Sequence, residues 1–271
     1  MNALSWFQRT LISFFLVTGV ACQKTPVYIS APIHENFELF PTDFTSAIIS
    51  GEDVTPQDAF AYSIVGVSSL EKGSLCTGTL INRSHVLTAA HCLGKNPNSI
   101  RIFTGFSRSQ PSAILDAVSF VNHPNWELRS KEPTDRGDLA IIKITGDLPK
   151  IFRPIQFADA DSLKNGSEVL IAGYGRNEGV KKSGAGTLRK TMALIAETHY
   201  GETEVMFDQR QGKGACHGDS GGPAFIDTGK GHFQWGVTSR EYQDPDKDCT
   251  HFSIYTKVTP YLSWIRENSL D

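Results

Sequence analysis

Short runs of apolar and β-branched residues recur from position 61 to position 258, cut apart by clusters of Gly, Asn, Pro and Ser. The first set covers 61–67, 74–81, 85–89, 100–104, 113–121 and 139–144. Runs of this length and composition between turn-forming residues predict β-strands. A connection carrying Pro and Asp follows at 153–162, and a second set covers 168–173, 186–196, 203–207, 223–226, 232–238 and 251–258. Two all-β halves of similar length, with no repeat linking them, predict paired barrels with a cleft between. The tail differs: Thr259-Pro260 reads as a helix start, and Tyr261, Leu262, Trp264 and Ile265 give one apolar face to pack on a barrel.

The N-terminal pattern is of another kind. Residues 11–17 are apolar apart from Ser13, and the small residues Thr18-Gly19-Val20-Ala21 lead to Cys22. That run is too short to span a bilayer comfortably and reads as an export signal over 1–22, which places the mature protein outside the cell or in a periplasm. Cys22 also sits where a bacterial lipobox has its lipidated cysteine, although Gly19 stands where leucine is usual. Lipidation, with a membrane tether, and ordinary signal cleavage both stay open. Residues 23–47 show scattered prolines and no sustained period, as a propeptide or linker does.

Five cysteines in an exported chain leave one over. Cys76 and Cys92 bracket a hairpin-like stretch ending beside His91, and Cys216 and Cys249 bracket the segment that begins just before Ser220, so two disulfides with Cys22 left over account for all five. A formal net charge of -3, with no basic stripe, argues against nucleic acid as a partner. The chain is expected to act as a monomer. The histidines lack HExxH spacing, and the glycine-rich stretch 181–187 lacks a P-loop ending, so neither a metal nor a cofactor is expected.

Chemistry concentrates in two phrases. Gly218-Asp219-Ser220-Gly221-Gly222-Pro223 offers a hydroxyl in a turn whose glycines leave it and the nearby N–H groups open. A serine needs a base to take its proton as it attacks a carbonyl, and Leu87-Thr88-Ala89-Ala90-His91-Cys92 offers His91. Asp138, opening the run Asp138-Leu139-Ala140-Ile141-Ile142-Lys143, is the candidate carboxylate to orient that imidazole; nearby Asp135 reads as a solvated turn residue. The string Gly218–Gly222 also satisfies the G-x-S-x-G elbow of α/β-hydrolases. That elbow lies between a strand and a helix, and neither flank here fits.

With Cys76-Thr77-Gly78-Thr79-Leu80, Gly173-Tyr174-Gly175 and Tyr255-Thr256-Lys257-Val258 added to these phrases, residues 48 to about 268 resemble the trypsin/chymotrypsin-type serine endopeptidases, as an exported bacterial member. The resemblance implies an all-β domain over 48–271 made of two six-stranded antiparallel β-barrels, with the active site in the cleft and a short C-terminal helix. It implies a Ser220, His91, Asp138 triad acting through an acyl-enzyme on protein or peptide substrates, and an oxyanion hole formed by the N–H groups of Gly218 and Ser220. It further implies a zymogen cut between Ala47 and Ile48, by itself or by an activating protease, whose new Ile48 ammonium pairs with Asp219. The uncut chain leaves Asp219 without that cation. If the pairing of the cysteines holds, no bond ties residues 23–47 to the catalytic unit, and the cut also frees it from any tether at Cys22.

The resemblance places Gly214 at the floor of the specificity pocket, where trypsin-like members carry aspartate. Ser239, Glu241 and Ser253 fall on its walls and His217 on its rim. Glu241 either narrows the pocket for small residues or attracts a basic side chain. Asp208 stands where relatives often have cysteine, so a disulfide common in the second barrel is missing. The alternative to an enzyme is a catalytically silent binding module on the same fold.

Overall fold

The apolar runs close into two sheets. In the computed structural model, residues 48–158 and 163–270 are described; the predicted signal, Cys22, the 23–47 segment and Ala47 lie outside them. The strands are β1 (Glu52–Asp53), β2 (Ile64–Ser69), β3 (Ser74–Leu80), β4 (His85–Thr88), β5 (Ile100–Thr104), β6 (Ala113–Asn122) and β7 (Ala140–Thr145). After them come β8 (Gln156–Phe157), β9 (Glu168–Gly173), β10 (Arg189–Glu197), β11 (Glu204–Asp208), β12 (Pro223–Asp227), β13 (His232–Tyr242) and β14 (Phe252–Lys257).

Strands β2-β3-β4-β7-β6-β5 form one closed antiparallel barrel. A second closes in the order β9-β10-β11-β14-β13-β12, because β9 pairs with both β10 and β12. Closure removes the unpaired edges that a sheet of this size would otherwise expose. The two-residue β1 extends β10, and β8 lies parallel to β13.

Strand composition follows what each face touches. On β6, Leu115 and Ala117 are buried while Ile114, Asp116 and Val118 are exposed, the alternation of a half-buried strand. β2 is buried throughout: Val65 and Val67 enter the first barrel core, and Ile64 joins the layer between the barrels. Gly66 on the same strand has to be glycine, since a Cβ there would overlap the Phe103 ring.

Two apolar layers join the barrels. One gathers Phe60, Ile64 and Phe103 with Ala172, Tyr174, Leu188 and Phe225; the other gathers Leu87, Leu139 and Ile141 with Val237, Val258, Tyr261 and Ile265. The second layer is where the C-terminal segment docks, as a 3-10 turn over Thr259–Tyr261 followed by helix α2 (Leu262–Asn268). A further short helix, α1 (Pro124–Arg129), was not foreseen in the strand pattern. It starts where Pro124 presets φ and His123 Nδ1 accepts the Asn125 N–H at 3.1 Å.

Cys76 is bonded to Cys92 and Cys216 to Cys249, over separations of 16 and 33 residues. By the loop-entropy relation each bridge stabilises the fold by about 3 to 4 kcal/mol, the longer loop slightly more. Urea denaturation of the Cys76→Ser/Cys92→Ser and Cys216→Ser/Cys249→Ser proteins is expected to show losses of that size. Two unchanged midpoints would mean that the bridges constrain nothing beyond what the barrels already hold.

Candidate active site

His91 lies in a single 3-10 turn, Ala90–Cys92, directly after β4, and the Cys76–Cys92 bridge fixes the residue that follows it. Asp138 precedes β7, the strand paired with β4, so the two side chains come from neighbouring strand ends. His91 Nδ1 is 2.7 Å from Asp138 Oδ2, and the His91 backbone N–H donates to Asp138 Oδ1 at 2.9 Å. A third donor comes from the second barrel: Ser239 Oγ donates to Asp138 Oδ2 at 2.6 Å. Burial pushes the Asp138 carboxyl up, but the His91 charge and the bonds from His91 and Ser239 outweigh it and hold the group below the usual carboxylate range. With Nδ1 engaged, the imidazole presents Nε2 on its other edge.

Ser220 is half-buried and lines the same cavity as His91. The turn carrying it is fixed carbonyl by carbonyl. His217 C=O accepts Arg176 N–H at 2.9 Å and Asp219 C=O accepts Gly222 N–H at 2.8 Å. A trans peptide points its N–H opposite to its C=O, so the N–H groups of Gly218 and Ser220 face away from those partners. Residues 216–219 close a turn through Asp219 N–H to Cys216 C=O at 2.9 Å, with Gly218 at φ +106° in its third position. That left-handed value is where a type II turn requires glycine, and a Cβ on Gly218 would come within 2.7 Å of Gly175 Cα.

Asp219 points away from Ser220 into the second barrel. Its Oδ1 accepts Gly175 N–H at 2.7 Å and its Oδ2 accepts Cys216 N–H at 2.8 Å. Gly173 and Gly175 lack a Cβ because one would overlap this carboxyl. Burial pushes Asp219 up to about 7, against those two bonds and the charge of Arg189. Ile48 is fully buried in the second barrel core, and Ile49 N–H donates to Gly214 C=O at 3.0 Å.

A cavity of about 260 Å³ opens beside Ser220, and Ser239, Glu241, Ser253 and His217 all line it. Gly214 is not among its lining residues. The Gln209 side chain lies over it, so that a Cβ on Gly214 would overlap the carboxamide. Gln209 is buried; its Nε2 donates to the carbonyls of Ala215 and Cys249, both at 3.0 Å, and its Oε1 accepts Ala215 N–H at 2.7 Å. Gln209 does not line the cavity either; it is a neutral amide with its bonds already made, packed against Gly214.

The family model described as Trypsin matches residues 48–265. The chain belongs to the trypsin family. It is a serine-type endopeptidase, a hydrolase. Chymotrypsin from Phaedon cochleariae is 28% identical over 275 residues, covering 93% of this chain and 94% of that protein. Chymotrypsin-2 from Vespa crabro is 26% identical, covering 82% and 100%, and human Granzyme M is 26% identical, covering 83% and 90%. These relatives are animal proteins, and they lend the bacterial assignment no support.

Three residues of this trypsin-family site were missed or misjudged from the sequence. Asp135 is no solvated turn residue: its Oδ1 accepts both the N–H and the hydroxyl of Thr203, at 2.7 and 2.8 Å, lacing the loop before Asp138 onto the second barrel. Gln209 carried no motif. Thr77 sat in a quoted phrase without a role, yet its N–H donates to Ser220 C=O at 2.8 Å and its hydroxyl donates to Gly218 C=O at 2.9 Å while accepting Tyr174 N–H at 3.0 Å. Thr77→Val keeps the shape and leaves two buried backbone groups unpaired, a cost of about 2 kcal/mol or more. Thermal melts and peptide hydrolysis of that protein are expected to show both lower stability and at least about a tenfold fall in kcat. A drop in stability with kcat unchanged would separate Thr77 from the geometry of the turn.

Proposed function

We propose that this trypsin-family endopeptidase cleaves protein or peptide substrates with Ser220 as nucleophile, His91 as general acid and base, and Asp138 as the carboxylate that orients His91. The observation that carries this reading is the His91–Asp138 bond, with His91 and Ser220 lining one cavity. Ser220 Oγ gives its proton to His91 Nε2 as it attacks the scissile carbonyl. The N–H groups of Gly218 and Ser220 take the oxyanion, and His91 returns the proton to the leaving amine. A water, deprotonated by His91, then hydrolyses the acyl-enzyme and restores Ser220.

Residues 1–22 act as an export signal, and the two disulfides suit an oxidising compartment. Residues 23–47 are the propeptide, and the cut after Ala47 creates the working N-terminus. Asp219 supports this reading, being a buried carboxyl pushed up to about 7 for lack of a strong cation. A new ammonium on Ile48 supplies one. Because the four described cysteines pair with one another, the cut also frees the catalytic unit from any anchor on Cys22.

Ser220→Ala in the form beginning at Ile48 is expected to lower kcat on the order of 10⁴-fold or more. Any lesser loss would assign the nucleophile elsewhere. The pH dependence separates the two forms. A folded value near 7, above the ordinary 3.8, means that the stability Asp219 contributes in the uncut chain is full below about pH 4 and lost as pH rises through 7. Pairing with Ile48 lowers that value and removes the loss. Melting temperatures of Ser220→Ala protein, uncut and cut, are therefore expected to diverge between pH 5 and pH 8 in favour of the cut form. Parallel curves would overturn the Ile48–Asp219 pairing.

A further inference from the structure

Two carboxylates line the cavity beside Ser220, Asp138 and Glu241, together with the guanidinium groups of Arg136, whose Nε donates to the Glu132 carbonyl, and Arg240. Asp138 is bonded by His91 and Ser239, and the Arg240 guanidinium is held by both carboxylate oxygens of Glu204, at 2.8 and 2.7 Å. Glu241 has no such partner. Its Oε1 is 3.3 Å from His217 Nε2 and 3.1 Å from Sγ of Cys249, which is bridged to Cys216, and its carboxyl shares a side-chain hydrogen bond with Asp244. His217 is a weak countercharge, since burial and the neighbouring Arg176 charge hold its imidazole below the ordinary range and leave it neutral near pH 7. Gly214, where trypsin-like members carry aspartate, brings no charge, and the Gln209 amide packed against it has its bonds made within the protein.

We propose that Glu241 is the specificity-determining residue of this site: it selects substrates with a basic side chain, lysine or arginine, on the acyl side of the scissile bond, pairing with the cation at the wall of the pocket. The inference rests on the protease reading above. A cation entering the cavity displaces the His217 contact and finds a carboxylate held in a poorly hydrated place, where charge-assisted bonds are strong. In this proposal the apolar stem of a lysine or arginine lies along Ala215 and Cys216, which line the cavity, and its charged end meets Glu241.

The ionisation of Glu241 sets when this selection operates. Burial, with the Asp244 charge beside it, pushes the carboxyl up to about 7, and Arg176 and Lys247 oppose the shift. The carboxyl is neutral below that value and charged above it, so discrimination in favour of a cation grows as pH rises through 7. His217, which gains charge on the acid side, works in the same direction.

The test uses the form beginning at Ile48 and peptides that differ only at the residue before the scissile bond: arginine, its uncharged isostere citrulline, lysine and alanine. Arginine is expected to exceed citrulline in kcat/KM by at least about tenfold at pH 8. Glu241→Gln is expected to bring the arginine-to-citrulline ratio of kcat/KM down to about one, as expected where an ion pair is removed. The arginine-to-citrulline ratio, from which the titration of His91 cancels, is expected to fall between pH 8 and pH 6 in the parent and stay flat in Glu241→Gln. Equal rates for arginine and citrulline, or a Glu241→Ala protein that merely admits larger uncharged residues, would overturn the proposal and make Glu241 a steric lid. Calorimetric binding of arginine-ended and citrulline-ended peptides to Ser220→Ala protein reads the same preference without turnover. Charge-dependent binding without turnover in the parent would overturn the protease reading alone; turnover without charge discrimination would overturn the Glu241 assignment alone.

Discussion

The backbone of residues 217–220 has its four carbonyls taken one by one, and two of the four are taken by a single residue of the other barrel. Thr77 on β3 holds Gly218 C=O through its hydroxyl and Ser220 C=O through its N–H. Arg176 and Gly222 hold the two between and beside them. The turn is thereby fixed in orientation as well as in place, because each held carbonyl dictates where the adjoining N–H points. Thr77 is fully buried and its own C=O accepts the Thr88 hydroxyl at 2.8 Å, so the strand that leads to His91 is tied to the same residue. Barrel one therefore sets the distance between His91 and Ser220 through hydrogen bonds that water cannot replace.

The second link across the cleft is Asp138. A buried carboxylate is costly unless donors surround it, and here two donors come from His91 and one from Ser239 in the opposite barrel. Ser239 thus serves the carboxylate, although it also lines the cavity. Just beyond it, Arg240 is clamped between buried Glu204 and the carbonyl of Pro133, and Asp135 is bonded to Thr203. The Arg240–Pro133 and Asp135–Thr203 contacts join the loop before Asp138 to the second barrel. The acidic member of the site is therefore positioned from both sides.

The barrels were legible because a closed sheet needs every strand and punishes any change of face: the predicted runs at 100–104 and 168–173 coincide with β5 and β9, and most others shift by a residue or two. The largest deviations arise where pairing, not composition, decides the end. Strand β13 continues to Tyr242 because it remains paired with β14 past a bulge between Thr238 and Arg240. Helix α1 was hidden because six residues are too few to show a period. His91, Asp138 and Ser220 stood out because their chemistry needs particular residue types. Thr77 acts through backbone groups far away in sequence, at a separation of 141 from Gly218, and no local pattern announces such a bond. Gln209 bonds nearby Ala215 as well as distant Cys249 and packs against Gly214, but a lone glutamine carries no motif that would show it.

Four carboxyls surround this site, and their environments divide them into two kinds. Asp138 and Glu204 each have a cationic or donor-rich partner within the fold, and their job is to hold other groups still. Asp219, buried, and Glu241, half-buried, lack a full countercharge, and desolvation pushes both up to about 7. A fold does not gain stability from such groups at neutral pH, because the charged form has lost water without gaining a cation. Their common property is that a cation arriving from outside the present set of contacts would be bound more strongly there than at an exposed carboxylate. In the proposed activation, the source for Asp219 is the chain itself, through the ammonium that a cut before Ile48 would create. In the proposed selection, the source for Glu241, which lines the cavity, is the substrate. The same physical condition, an ionisable group desolvated ahead of its partner, underlies both proposals.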